Sequence, residues 1–285
     1  MPLGRSPVTN ISIVQIAFGF VDDIQDTLYI HGMTEPAYRE KYVAFIDLLG
    51  FSNLVQQSAD DKMALKAVVD AIDRLKNTAC ENPATNTLIT YFSDCLVLSC
   101  ERSPRALMGM LQNLVTIAEN LLVVDVMVRG ALTVGQIHHD RHFMFGPAMI
   151  EAYRMECKEV SHPAIMFSPA ISADIEASDL QPLMMHDNAD PERKYLHYLI
   201  NFEAYDPTPL AGTVILDGPA RLVRHYLAKR IAEHKDERLL AKAIWLERYW
   251  NDTVGTRGIL GMVDRDADRI PPDARPFRSQ RFIAG

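Results

Sequence analysis

The chain has 285 residues, 48% of them hydrophobic and 23% charged, an ordinary globular balance rich enough to bury a core. Its formal net charge of -8 excludes a broad, direct nucleic-acid-binding face, because neutralising phosphates requires clustered Lys and Arg. Cys80, Cys95, Cys100 and Cys157 form no CxxC pair and have no His in zinc spacing, so they read as free thiols of a reducing compartment, the cytoplasm.

In chain order, residues 1–38 read as an N-terminal extension with an apolar stretch, Ile11 to Phe20, followed by acidic residues. The stretch is interrupted by Gln15 and is well short of the roughly 20 residues that span a bilayer, so no membrane partner is expected. No signal peptide is evident. Tyr42-Val-Ala-Phe-Ile-Asp-Leu-Leu-Gly50 is a short apolar run closed by Gly, the pattern of a buried strand. A helix follows, with Leu65, Val68, Val69, Ile72 and Leu75 at steps of three or four. Leu88–Phe92 and Cys95–Ser99 read as two strands around a tight Ser93-Asp94 turn. The next helix carries Leu107, Met110, Leu111, Leu114, Ile117, Ala118 and Leu121 on one face. Val126 to Ile137 is strand-like, Phe143 to Gly146 is extended, and Pro147 to Lys158 is helical with Pro at its start. Lys194 to Ile200 reads as an added strand, and Asp217 to about Asn251 as helical with a break near His234 to Asp236. This divides the chain into an extension (1–38), a core domain (39–205), a helical region (206–263) and a loose tail (264–285).

Strand, helix, hairpin, helix, strand is the split βαβ, ferredoxin-like order of an α+β fold. The first crossover makes strands one and two parallel, and the hairpin reverses strand three. The end of strand one and the tip of the hairpin therefore share one sheet edge, with Asp47 near the first and Asp94 at the second. Two carboxylates so placed suit hard divalent cations, which combine one or two carboxylates with substrate phosphates. The carbonyl of Leu48 is a further candidate ligand, and the backbone N–H groups of Leu49, Gly50 and Phe51 are candidate phosphate donors. Asp94 also suits a hairpin tip for its turn geometry alone. Asp47 within an apolar strand is costly unless paired or metal-bound.

These segments resemble the class III nucleotidyl cyclases. Phe45-Ile-Asp-Leu-Leu-Gly-Phe51 is similar to the family's first Asp motif, and Phe92-Ser-Asp94 to its second. Val128-Arg-Gly-Ala-Leu-Thr-Val-Gly135 and the Gly146-led helix carrying Arg154 resemble its third and fourth segments. The likeness spans about residues 41 to 168. It implies a nucleoside triphosphate substrate and two Mn²⁺ or Mg²⁺ ions per site, held by Asp47, Leu48 and Asp94. It also implies a head-to-tail homodimer with shared sites, in which the catalytic Arg154 comes from the second copy. Read without the resemblance, Arg154 is a surface helix residue near Glu151 or Lys158.

The chain departs from the family where purines are read. Ile150 stands four residues before Arg154, where the family often has Asn. Thr90 and Phe143 replace the residues that select adenine or guanine, and with Phe45 they outline a candidate base pocket. The details resemble the bacterial pyrimidine cyclases of Pycsar antiphage defence, notably Ala-Tyr-Arg-Met-Glu156, His162-Pro-Ala-Ile165 and Tyr195-Leu-His-Tyr198. That resemblance implies cyclic UMP, in preference to cyclic CMP, as a messenger for a separate cyclic-nucleotide-activated effector. The alternatives are an adenylate or guanylate cyclase, or a non-catalytic nucleotide-binding module. His138-His139-Asp140-Arg141-His142 reads as a polar hairpin loop, since adjacent strand residues face opposite ways. Gly255 to Gly261 lacks the surroundings of a dinucleotide fingerprint, and Met108, Met110 and Met127 read as core fillers.

Overall fold

The computed structural model describes residues 37–187, 190–204, 218–233 and 236–254. The apolar stretch at Ile11 to Phe20, the Gly255 to Gly261 segment and the tail lie outside the described residues.

The strands and helices follow in order as β1 (Arg39–Leu49), α1 (Phe51–Gln57), α2 (Lys62–Thr78), β2 (Leu88–Phe92), β3 (Cys95–Glu101) and α3 (Pro104–Leu122). They continue as β4 (Met127–His139), β5 (Met144–Phe145), α4 (Pro147–Glu159), β6 (Ile165–Phe167), α5 (Pro169–Glu176), β7 (Met184–His186), β8 (Lys194–Leu196), α6 (Pro219–Glu233) and α7 (Glu237–Thr253). The sheet runs β2-β3-β1-β4-β6-β8-β7, with β5 attached to β4. Its first four strands have the split βαβ order: β1 is central and antiparallel to both β3 and β4. The fold is α+β.

The central place of β1 explains its sequence. Both faces are covered, so it reads as a continuous apolar run rather than an alternating one. Tyr42, Ala44, Ile46 and Leu48 face a large core built with α2, α3 and α5. Val43 and Phe45 face the other way and pack under Ala148 and Ala152 of α4. Gly146 starts α4 at φ 150, and a Cβ there would lie 2.7 Å from the Gln136 carbonyl oxygen, so the helix seats against β4 only with glycine.

Three expectations are corrected. In α2 the buried face is Ala64, Val68, Ala71 and Leu75, while Leu65 and Val69 are exposed. Small alanines, which hydrophobic periodicity undervalues, let the helix approach its neighbours. Met108 is exposed, although Met110 and Met127 are buried. The added strand is only Lys194–Leu196, because Ile200–Ala204 turns into a 3-10 helix. Val223, Leu227, Leu240, Leu246 and Trp250 join the large core beside β1.

Candidate functional site

Asp47 lies on the α4 face of β1, in register with Cys95 on β3 and Arg129 on β4. The hairpin turn is made with Ser93 at φ 43, and the Leu48 N–H donates to the Asp94 carbonyl at 2.9 Å. This bond pins the hairpin tip to the end of β1. In an extended strand the carbonyl of Leu48 points to the same flank as its N–H, towards that tip. The Cys95 sulfur lies 3.9 Å from an Asp47 carboxylate oxygen and 3.8 Å from one of Asp94. One side chain thus touches both carboxylates. Ser52 on α1 donates its hydroxyl to Asp94 Oδ2 at 2.5 Å, tying the first helix to the pair.

The electrostatics are set mainly by burial. Desolvation, then the charge of Glu156, pushes the Asp47 carboxyl up to about 6; Arg129 opposes this and Asp94 adds to it. The Cys95 thiol is pushed up to about 12 by burial and by Asp47 and Asp94, so it remains a protonated donor to the carboxylates. Arg129 Nη2 lies 3.3 Å from Asp47 Oδ2 and also pairs with Glu156, while its Nη1 donates to the Val160 carbonyl at 3.4 Å. Lys242 of α7 is near enough to act on Asp47, Arg129 and Glu156, and burial, then Arg129, lowers its pKa.

Arg129, Glu156, Lys242 and Cys95 are site residues that sequence reasoning missed. One signal was legible. Glu156 continues the stripe of Ala148 and Ala152, and an acid on the buried face of a helix requires a partner. Arg129 needed the β1–β4 register to be seen beside Asp47. Lys242 needed the packing of the distant C-terminal helix.

The remaining candidates are dispersed. Gly50 holds φ 81 between β1 and α1, with open space where a Cβ would stand. Leu49 and Phe51 bury their side chains, so any contact they make with a ligand is through backbone N–H groups. Arg154 does not reach Asp47 or Asp94 of its own chain. It is exposed on α4, with Nε donating to Glu151 at 2.9 Å and Nη1 lying 2.8 Å from Glu159. Phe45 is buried beneath Tyr153, edge to face at a centroid distance of 5.4 Å. Thr90 shares the cross-strand row of Phe45 through Val97. Its hydroxyl is bonded to His139 Nε2 at 2.8 Å, and Ser99 meets His139 Nδ1 at 2.8 Å. Phe143 is exposed in the β4–β5 loop, where its N–H donates to Asp140 at 2.7 Å.

Among the described residues, no cluster of three or more His, Cys, Asp or Glu side chains could hold a metal. Asp47 and Asp94 are two carboxylates that, with the Leu48 carbonyl, make an oxygen-only donor set. That chemistry suits Mg²⁺ or Mn²⁺ completing its shell from substrate phosphates and water. Also among the described residues, no helix is long and apolar enough to cross a membrane.

No family model matches the chain, and no curated protein matches it significantly. Solved structures similar to it include the monomeric guanylyl cyclase domain of the RhoGC fusion protein from Blastocladiella emersonii. That likeness has 16% identity and a TM-score of 0.40, over 56% of this chain and 96% of that one. The catalytic core of a rhodopsin-guanylyl cyclase with converted specificity, in complex with ATPαS, is 15% identical with a TM-score of 0.37, over 55% and 94%. A class III adenylyl cyclase-like ATP-binding protein from Pseudomonas aeruginosa is 9% identical with a TM-score of 0.38, over 48% of this chain and 35% of that one. Likenesses this remote carry no inference of function.

Proposed function

We propose that the chain is a nucleotide cyclase of the class III type, acting on a pyrimidine nucleoside triphosphate, UTP in preference to CTP. The observation that supports it best is the meeting of Asp47 and Asp94 across the Cys95 sulfur, pinned by the Leu48–Asp94 backbone bond. In this reading the 3′-hydroxyl attacks the α-phosphate of the same molecule, the new P–O bond closes the ring, and pyrophosphate leaves. Divalent cations bound at Asp47, Asp94 and the Leu48 carbonyl would lower the hydroxyl pKa and offset phosphate charge. The N–H groups of Leu49, Gly50 and Phe51 orient phosphate oxygens. Arg154 from a second copy adds positive charge to the transition state, where it lowers the barrier most. Glu156 holds Arg129 beside Asp47 and so positions that carboxylate.

The base reading rests on Thr90, Phe143 and Phe45. Thr90 presents a hydroxyl already engaged by His139, and Phe143 offers an apolar ring, a pair that lacks the matched donors and acceptors a purine edge needs. Discrimination of this kind comes from polar groups left unpaired by the wrong base. The product would serve as a messenger for a cyclic-nucleotide-activated effector in antiphage defence, within the cytoplasm.

The test is incubation with each of the four ribonucleoside triphosphates and Mn²⁺, with products identified by mass. Cyclic UMP or cyclic CMP with pyrophosphate supports the reading, and a cyclic purine product corrects the base. Asp47→Ala and Asp94→Ala should each abolish product while leaving the circular dichroism spectrum unchanged; full turnover in either variant sinks the metal roles. A second reading, a non-catalytic binding module, is favoured by one observation: the Arg129 guanidinium already lies 3.3 Å from an Asp47 carboxylate oxygen, on a site a metal would need. It requires saturable triphosphate binding with no pyrophosphate release from any of the four substrates.

A further inference from the structure

A second charged feature lies on the same sheet face as Asp47, at the opposite end of β1. Arg39, Lys41, His138, His139, Arg141 and the carboxylate Asp140 are among the residues that line a half-open cavity of about 260 Å³. Lys41 and Asp47 are six residues apart on one strand, roughly 20 Å at the rise of extended chain, so the cavity is separate from the carboxylate pair.

Lys41 is the unusual member. It is only 3% exposed, yet among the described residues it forms no hydrogen bond and no ion pair. Its Nζ is not among the fully buried polar atoms lacking a partner, so the stem is covered while the charge opens into the pocket, where a ligand can reach it. Burial, then the charge of Arg39, lowers its pKa. Arg39 and Arg141 also lack ion-pair partners among the described residues. The nearby acids are otherwise engaged. Asp140 takes His138 Nε2 at 3.0 Å and the N–H groups of His142 and Phe143 at 2.7 Å. Glu40 pairs with Arg102, and Glu101, across from Lys41, acts on it only at longer range. His139 spends both ring nitrogens on Thr90 and Ser99 and forms a neutral wall. Asn86 holds φ 48 at the rim.

We propose that this cavity is an anion site that binds a phosphate group, with Lys41 at its floor and Arg39 and Arg141 as its other cations. The cationic set matches a multiply charged tetrahedral oxyanion better than a carboxylate: two planar guanidinium forks and one ammonium supply donors from several directions. The space suits a phosphate or diphosphate, whether free or at the end of a small metabolite, and is below the usual size of a site enclosing a whole nucleotide. The site uses none of the carboxylates, phosphate-binding N–H groups or Arg154 of the cyclase reading, and it meets that reading only where its wall residues His139 and Asp140 bond Thr90 and the Phe143 N–H.

Calorimetric titration of the full chain, in phosphate-free buffer with a metal chelator, tests the proposal using inorganic phosphate, pyrophosphate and ribose 5-phosphate. The expected result is saturable binding of at least one probe, one per chain and weakened by salt. Lys41→Met should weaken it by about tenfold or more, as expected for losing a charged donor. Arg39→Gln with Arg141→Gln should do the same; both positions are exposed, so this double variant decides the matter if Lys41→Met fails to fold. Binding of inorganic phosphate assigns the site to the free ion, binding of pyrophosphate alone assigns it to a diphosphate, and binding of ribose 5-phosphate alone assigns it to a phosphomonoester. Each supports the site. No saturable binding of any probe, or binding that both sets of substitutions leave unchanged, overturns it.

Discussion

His139 is buried between Thr90 and Ser99, and burial with the charge of Lys41 depresses its pKa to about 4. A His depressed below its ordinary 6.5 binds protons in the unfolded chain first, so it contributes stability above pH 6.5 that is lost as the pH falls towards 4. His139→Gln should therefore flatten the fall in stability across that window, read as urea midpoints at a series of pH values. An unchanged slope would show that other groups govern acid unfolding. Asp47 has the opposite sign of shift. Its carboxyl is raised to about 6, so the folded state favours the protonated form, and the stabilisation present below its ordinary 3.8 is lost as the pH rises through 6. In chelator, Asp47→Asn should melt above the parent protein at pH 8, and the gap should close near pH 4. A lower melting temperature at pH 8 would mean that the Arg129 pairing outweighs desolvation. Of the residues at this site, Asp47 and Asp94 were legible because carboxylates are conspicuous at the end of an apolar strand and at a hairpin tip. Arg129 and Lys242 were not, because their partners are set by strand register and helix docking.

The elements follow from local chemistry with few exceptions. Ser103, Ser168 and Asp236 cap α3, α5 and α7 with side-chain bonds to the first-turn N–H groups. β1 was readable because a central, doubly covered strand has no polar face to obscure it. α2 was readable as a helix but not by face, since its alanines mark the buried side. The C-terminal helices were readable by period, and their destination was not. Trp250 is fully buried in the same core as Ile46 and Leu98. Trp250→Ala should cost about 3–5 kcal/mol, the range for deleting a large buried aromatic. Because the core is shared, urea unfolding followed by circular dichroism should shift as one cooperative transition; a helical region melting separately from the sheet would contradict the shared core.

At the scale of the molecule, the carboxylates are half-buried at the β1 end while Arg154 stands exposed on α4, held by Glu151 and Glu159. A single chain does not bring these groups together. If two chains share their sites, mixing Asp94→Ala with Arg154→Ala chains should restore activity at one of the two sites in each heterodimer, measured as product formed after co-refolding. Heterodimers that form but stay inactive would place Arg154 outside the chemistry. The shared-site proposal requires Glu151 and Glu159 to release Arg154 to the triphosphate, an exchange of exposed ion pairs worth little each.

The amino-acid sequence by itself determined the strand and helix order, the central strand and the split βαβ arrangement that brings Asp47 and Asp94 to one edge. It could do so because hydrophobic period and turn chemistry are local, and because the crossover rule converts order into adjacency. The tertiary structure alone decided how that pair is charged. Register sets Arg129 beside Asp47, helix docking buries Glu156 and brings Lys242 near, and burial raises the Asp47 carboxyl. It also decided that the Lys41 stem is covered while its ammonium opens into a pocket, for burial and pairing depend on distant strands that no local pattern records.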